Sequence, residues 1–227
     1  MPRETFVREL QKLQDQMLML GSMVQQAILD SVDALKRRDV EAAQHIIDGD
    51  REINRRRFDI ERDCLILIAT QQPMASDLRT IAAVLEIGTE LERMGDYAKG
   101  IARINIMMGE KPLLKPLIDI PRMADKGCDM LRRALDAFIR RDVELARTIP
   151  REDNEVDALY NQVYHELLTF IIADPHTIDQ ATHLLWVAHN LERFSDRVTN
   201  ICERVVFTVT GEMREMDVEE EDVAGQA

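Results

Sequence analysis

Glycine, proline and aromatic side chains are all scarce in this chain, at nine residues, seven residues and 4% of its 227. With so few breakers and no convincing two-residue alternation of apolar and polar positions, there is little to build strands from. Cysteine is scarcer still. Cys64, Cys128 and Cys202 stand alone in apolar helical stretches, odd in number and without ligand spacing. That excludes a disulfide framework and a zinc knuckle, and marks them as core or near-core thiols of a reducing cytoplasm. The longest wholly apolar run, Cys64 to Ala69, is far short of the roughly 20 residues a membrane helix needs. No signal peptide opens the chain, so no membrane span is expected and any membrane connection is expected to run through a partner. A basic surface is missing too. The net charge of -13 argues against direct nucleic-acid binding, and Arg37-Arg38, Arg55-Arg56-Arg57 and Arg140-Arg141 lie among acidic residues, as on salt-bridged solvated helix faces.

Catalytic signatures are also absent. There is no glycine-rich phosphate loop and no nucleophile beside a recognisable base. None of the five histidines follows a glutamate by three residues, as a carboxylate-bridged di-iron bundle requires, and His165-Glu166 is not a zinc-protease motif. The chain is therefore read as not an enzyme. Met17, Met19, Met23 and Met107-Met108 are read as core filler rather than a cofactor box.

What is present is an echo. Residues 37–41 read RRDVE, and residues 140–144 read RRDVE again. The same register pairs Asp50 with Asp153, and after small slips it aligns Leu91-Glu92-Arg93 with Leu191-Glu192-Arg193 and Asp96 with Asp196. Slips of one or two residues belong at turns, so a unit of several helices is written twice. Val84, Ile87, Leu91, Met94, Ala98 and Ile101 form an apolar stripe at helical spacing, and Leu184, Val187, Leu191, Phe194, Val198, Ile201 and Val205 repeat it. Breaks fall at Arg38-Asp39, Gln72-Pro73, Arg141-Asp142 and Asp174-Pro175, with an inter-repeat connector at about 109–121 that carries three prolines. Ile149-Pro150 predicts a kink or restart in the fifth helix. The expected fold is all-α, two tandem sequence-related three-helix bundles, with repeats at 1–110 and 111–214 and an acidic disordered tail at 215–227.

Two carboxylates four residues apart share a helix face, their Cβ atoms roughly 5–6 Å apart. Glu92/Asp96 and Glu192/Asp196 are such pairs, and the preceding helix of each repeat offers Asp50/Asn54 and Asp153/Asp157. Asp50 and Asp96 are equidistant from Pro73, as are Asn54 and Glu92; in the second repeat Asp153/Asp196 and Asp157/Glu192 are equidistant from Asp174-Pro175. An antiparallel hairpin about each proline brings the pairs face to face. Gly88 and Gly95, with Ala188 and Ser195, are small neighbours that leave room between helices. Carboxylates gathered so closely must bind protons, recruit arginines such as Arg93 or Arg193, or hold a cation. An all-oxygen site suits Mg²⁺, Mn²⁺, Ca²⁺ or iron better than structural zinc. His189 falls on the same side as Glu192 and Asp196 and is either a further ligand or a partly buried helix residue.

A duplicated three-helix unit bearing Glu92-Arg-x-x-Asp96 and Glu192-Arg-x-x-Asp196, each opposite an Asp-x-Glu-x-Asn/Asp element, resembles the PhoU family of phosphate-uptake regulators from about residue 3 to 212. The resemblance implies a cytoplasmic protein, commonly a homodimer or larger. It also implies metal ions, possibly multinuclear, iron, zinc, manganese or magnesium, held by Asp50, Asn54, Glu92 and Asp96 in one repeat and by Asp153, Asp157, Glu192 and Asp196 in the other. Asn54 departs from the acidic pattern. The implied role is negative regulation of phosphate uptake and of the phosphate-starvation response, as an adaptor between the ATPase of a phosphate ABC transporter and the sensor histidine kinase of a two-component system. Two other readings stay open: an iron-storage or redox bundle, and a metal-free structural adaptor.

Overall fold

The computed structural model describes residues 2–109 and 111–216. Long helices dominate: α1 Pro2–Arg37, α2 Val40–Gln71 and α3 Ala75–Met108 make the first repeat. The second comprises α4 Asp119–Arg140, a fifth helix split into α5 Val143–Thr148 and α6 Asp153–Ala173, and α7 Ile178–Thr210. A 3₁₀ turn over Ile149–Glu152 joins α5 to α6, where Pro150 removes a backbone donor. No strand occurs among the described residues.

The RRDVE echo is a pair of identical corners. Arg38 and Arg141 take left-handed φ angles of 60° and 56°. The amides of Asp39 and Asp142 then donate back to Ala34 and Ala137, both at 2.9 Å, closing the preceding helix. The same aspartates cap the next helix, Asp39 accepting from the Ala42 amide at 2.8 Å and Asp142 from the Leu145 amide at 2.9 Å. Replacing either aspartate with alanine removes a cap, at a cost of about 1 kcal/mol.

α1, α2 and α3 pack together, as do α4, α6 and α7, and the repeats meet where α3 lies against α7 and α1 against α4. α3 and α7 run antiparallel. Arg79 reaches the Thr208 carbonyl, Arg204 pairs with Glu86, and Asn200 donates to Glu90 at 3.0 Å. An added Cβ on Gly100 would meet Asn190 Oδ1 at 3.1 Å, the pseudo-symmetric counterpart of the Glu90–Asn200 contact. Every residue of both apolar stripes is at most 1% exposed. Full burial of each larger aliphatic chain is worth roughly 1.5–3 kcal/mol. One apolar cluster runs from Phe6 to Val206 through both repeats.

Several expectations need adjustment. The connector is shorter than 109–121, because α4 begins at Asp119 and Pro121 sits in its first turn, where a missing amide donor is harmless. Met17 and Met108 are core residues, but Met19 and Met107 are exposed. The arginine run is a solvated face as expected, with Arg55 and Arg56 on Glu52 at 2.6 and 2.9 Å and Arg57 on Glu61 at 2.6 Å. Arg38 is different. It bonds Asn105 Oδ1 at 2.9 Å and the Gly109 carbonyl, so it tethers the end of α3. The three thiols are free and buried, and burial pushes each up to about 12. No helix among the described residues is long and apolar enough to cross a membrane. Of the tail expected from 215, residues 217–227 lie outside the described residues; the Met216 amide donates to Glu203 at 2.9 Å.

Candidate metal centre

In the first repeat the α2–α3 hairpin brings Asp50 beside Gly95, whose added Cβ would lie 3.9 Å from Asp50 Oδ1. Asp50 is only 5% exposed. A cation is already there: Lys99 Nζ sits 2.6 Å from Asp50 Oδ2 and 3.5 Å from Asp96 Oδ1. Asn54 Nδ2 donates to the same Asp50 Oδ2 at 3.1 Å, leaving Oδ1 without a partner. Contact with Asp50 holds the Lys99 ammonium above its ordinary range. Glu92 is raised, first by burial and then by the charge of Asp96. A cleft of about 480 Å³ opens beside this site, lined by Asp50, Ile53 and Gly95 with residues of α1 and α2. The room expected at Gly95 is filled by Ile53, 3.2 Å from an added Cβ, whereas Gly88 does face open space.

The α6–α7 hairpin gathers Asp153, Asp157, Glu192 and Asp196 with no lysine among them. Thr199 stands where the first repeat has Lys99, and Asp157 where it has Asn54. Lys126 is nearby but spent on Glu152 and Glu155, at 2.7 and 3.0 Å. Burial, then the charges of Asp196, Asp157 and Glu192, push Asp153 up to about 7. Burial, Asp196 and Asp157 push Glu192 up to about 7, against the opposing charge of Arg193. Asp157 is raised by burial and Asp196, and Asp196 by burial in spite of Arg193 and Arg197. Asp153 Oδ1 makes no hydrogen bond, Glu192 Oε2 has the His189 ring nitrogen at 3.2 Å, and the wholly buried Ser195 hydroxyl lies beside Asp153, where it opposes the rise in that carboxyl. Asp153 Oδ1 is an orphaned acceptor of the kind a bound cation satisfies.

Lys99 joins Asp50 to Asp96 in the first repeat, and the four carboxylates of the second act on one another, but the two clusters differ in fit. The second offers a hard, anionic oxygen set with an unpartnered buried atom, which suits a divalent or trivalent ion. Among the described residues no three His, Cys, Asp or Glu side chains already converge in ligating geometry, so loading requires carboxylate rotation. The first cluster fits less well, because Lys99 takes the cation's place. The arginines play a smaller part than the spacing suggests: Arg93 turns to Glu90 at 2.7 Å, and Arg193 lies over the Tyr97 ring at 5.8 Å. Lys99 was not visible as part of the first cluster from sequence, and Ser195, read there only as a small neighbour, sits beside Asp153. An Asp-x-x-Lys pair at 96 and 99 was the available signal for the first.

Fold and site together define a class: a tandem pair of three-helix bundles, each presenting a carboxylate face on its last hairpin. The PhoU domain matches this chain twice, over residues 17–104 and 120–205, and the chain belongs to the PhoU family. The PhoU homologue of Aquifex aeolicus, named a phosphate-specific transport system accessory protein, is 38% identical over 206 residues, covering 91% of this chain and 93% of its own length. The Escherichia coli K12 protein of that name is 34% identical over 207 residues, covering 91% and 86%. The crystal structure of the phosphate transport system regulatory protein PhoU from Streptococcus pneumoniae superposes with a TM-score of 0.85 at 33% identity, covering 92% of this chain and 99% of its own. The family is one of accessory and regulatory proteins rather than enzymes.

Proposed function

We propose that this protein is a cytoplasmic negative regulator of phosphate uptake and of the phosphate-starvation response, acting as a metal-binding homodimeric adaptor between the phosphate transporter's ATPase and the sensor histidine kinase. Its relatives' names support the transport role, and two hairpins with paired carboxylates support the metal. The carrying observation is the second cluster: four carboxylates, Asp153 and Glu192 pushed up to about 7, and an Asp153 oxygen without a partner. A bound ion would neutralise this charge and lock α6 to α7, leaving a rigid hairpin surface for a partner to read. Asp153, Asp157, Glu192 and Asp196 would hold it, while Ser195 lies close enough to Asp153 to favour its ionised form.

The first repeat supports a second reading locally, that of a metal-free structural bundle, because Lys99 already pairs with Asp50. Elemental analysis of protein purified without added metal, set beside the Asp96→Ala/Asp196→Ala variant, separates the readings. Metal in the parent and little in the variant supports the metal-binding adaptor; negligible metal in both removes it. Turnover of bound iron with oxygen would instead mark a storage or redox bundle. The regulatory role has its own test, since deleting the gene should raise phosphatase output in phosphate-rich medium, and unchanged output contradicts it.

A further inference from the structure

We propose that the cleft between α1 and α2 binds a small primary amine with an apolar body, its ammonium group donating to Asp50. The cleft, of about 480 Å³, falls in the size range of small-molecule sites. Buried Asp50, Ile53 and Gly95 make its floor, and half-buried Met23, Ala27 and Ile46 form apolar walls. Gln26, Asp30, His45 and Gly49 stand exposed at the rim. One polar atom on that floor has nothing to bind. Asp50 Oδ2 takes both Lys99, at 2.6 Å, and Asn54, at 3.1 Å, and neither of those residues lines the cleft. Asp50 Oδ1 is left unpartnered on a side chain only 6% exposed, and it lies on the side of Gly95, 3.9 Å from the position of an added Cβ. A buried acceptor of this kind wants a donor, and the cleft is the side from which one can approach.

Charge decides the kind of donor. Asp50 and Asp30, which accepts from Gln26 at 2.8 Å, both line the cleft, while its one guanidinium, Arg37, is committed to Asp33 at 2.8 Å and Asp39 at 3.4 Å. Behind Asp50, Lys99 is divided between it and Asp96, and Glu92 adds a third carboxyl within electrostatic reach. Such a cleft repels anions and attracts an ammonium, and its apolar walls favour a hydrocarbon body. The second repeat has closed the same place. Glu152 stands where the first has Gly49, and Lys126 and Arg133 where it has Met23 and Asp30. Lys126 and Arg133 meet Glu152 at 2.7 and 3.0 Å, bridging α4 to the 3₁₀ turn. The first repeat has a glycine and a thioether instead, and an added Cβ on Gly49 would meet nothing within 4 Å. Glycine there costs helix stability and is not required by packing; it keeps the cleft open.

The test is titration of the full chain, in buffer containing a chelator, with hexylamine, hexanol and hexanoate, following the Met23 methyl signal by NMR and assigning it with Met23→Leu. The parent is compared with Gly49→Leu, which fills the cleft with a better helix former and leaves folding intact, as circular dichroism checks. The expected result is saturable binding of hexylammonium, roughly tenfold or more tighter than hexanol or hexanoate, and a loss of roughly tenfold or more in Gly49→Leu. Equal affinity for all three ligands overturns the ammonium contact with Asp50. Hexylamine binding that survives Gly49→Leu unchanged lies elsewhere and overturns the cleft. No saturable shift in the parent overturns the site altogether, and each of these outcomes leaves the metal reading of the second cluster untouched.

Discussion

The two carboxylate clusters hold the same position in their repeats and resolve the same repulsion by different means. In the first, Lys99 reaches Asp50 at 2.6 Å and Asn54 replaces a fourth carboxylate, so the fold carries its own counter-charge. In the second, Thr199 and Asp157 stand at those places, and the nearest group of opposite character is the His189 ring, 3.2 Å from Glu192. Burial and mutual repulsion push Asp153 and Glu192 up to about 7. The two hairpins share their backbone positions; two side-chain differences decide whether a counter-charge is built into the cluster.

The comparison breaks most sharply if metal binding is lost from the wrong repeat. Asp153→Asn/Asp196→Asn should reduce metal affinity by roughly 100-fold, while Asp50→Asn/Asp96→Asn should reduce it by less than about tenfold, both read by calorimetry. Swapping the lysine sharpens it further. Lys99→Met leaves Asp50 buried without its cation and should destabilise metal-free protein by about 2 kcal/mol in urea unfolding, an effect that added Mn²⁺ partly reverses. Thr199→Lys should do the opposite in the second repeat, raising metal-free stability and abolishing uptake there.

A smaller effect is the pH dependence of the metal-free protein. Carboxyls whose folded pKa lies above the unfolded value favour folding only while protonated. Their contribution is full below the unfolded carboxylate range near 4 and is lost as pH rises through about 7. Partial exposure limits the loss to about 1–2 kcal/mol, measured as urea midpoints between pH 4.5 and 8, and it should vanish in Asp153→Asn/Glu192→Gln. The smallest expected change is Asn54→Asp, which removes one donor to Asp50 and costs about 1 kcal/mol without metal, with a modest gain in metal affinity.

Much of this arrangement is written in local sequence. Asp39 and Asp142 read as caps because capping chemistry is decided within four residues, and Pro150 reads as a break because it lacks a donor wherever it stands. Pro121 shows the limit: the same residue is harmless in a first turn, and only the helix start at Asp119 reveals which applies. The shared axial level of the carboxylates was legible because equal distance from a turn survives any rotation of the two helices. The reach of Lys99 to Asp50 was not, and Ser195 showed only as a small neighbour, since which side chains meet depends on how far each helix is turned about its axis. The continuity of one core through both repeats was equally hidden, for repeat spacing says nothing of how α3 meets α7.

Anomalous diffraction from crystals of metal-loaded protein, recorded at the absorption edge of the ion found by elemental analysis, tests the inequality of the two clusters most directly. The account predicts a strong peak between Asp153, Asp157, Glu192 and Asp196, and a weak or absent one beside Lys99. Equal peaks in both hairpins, or a peak only between Asp50 and Asp96, would contradict it.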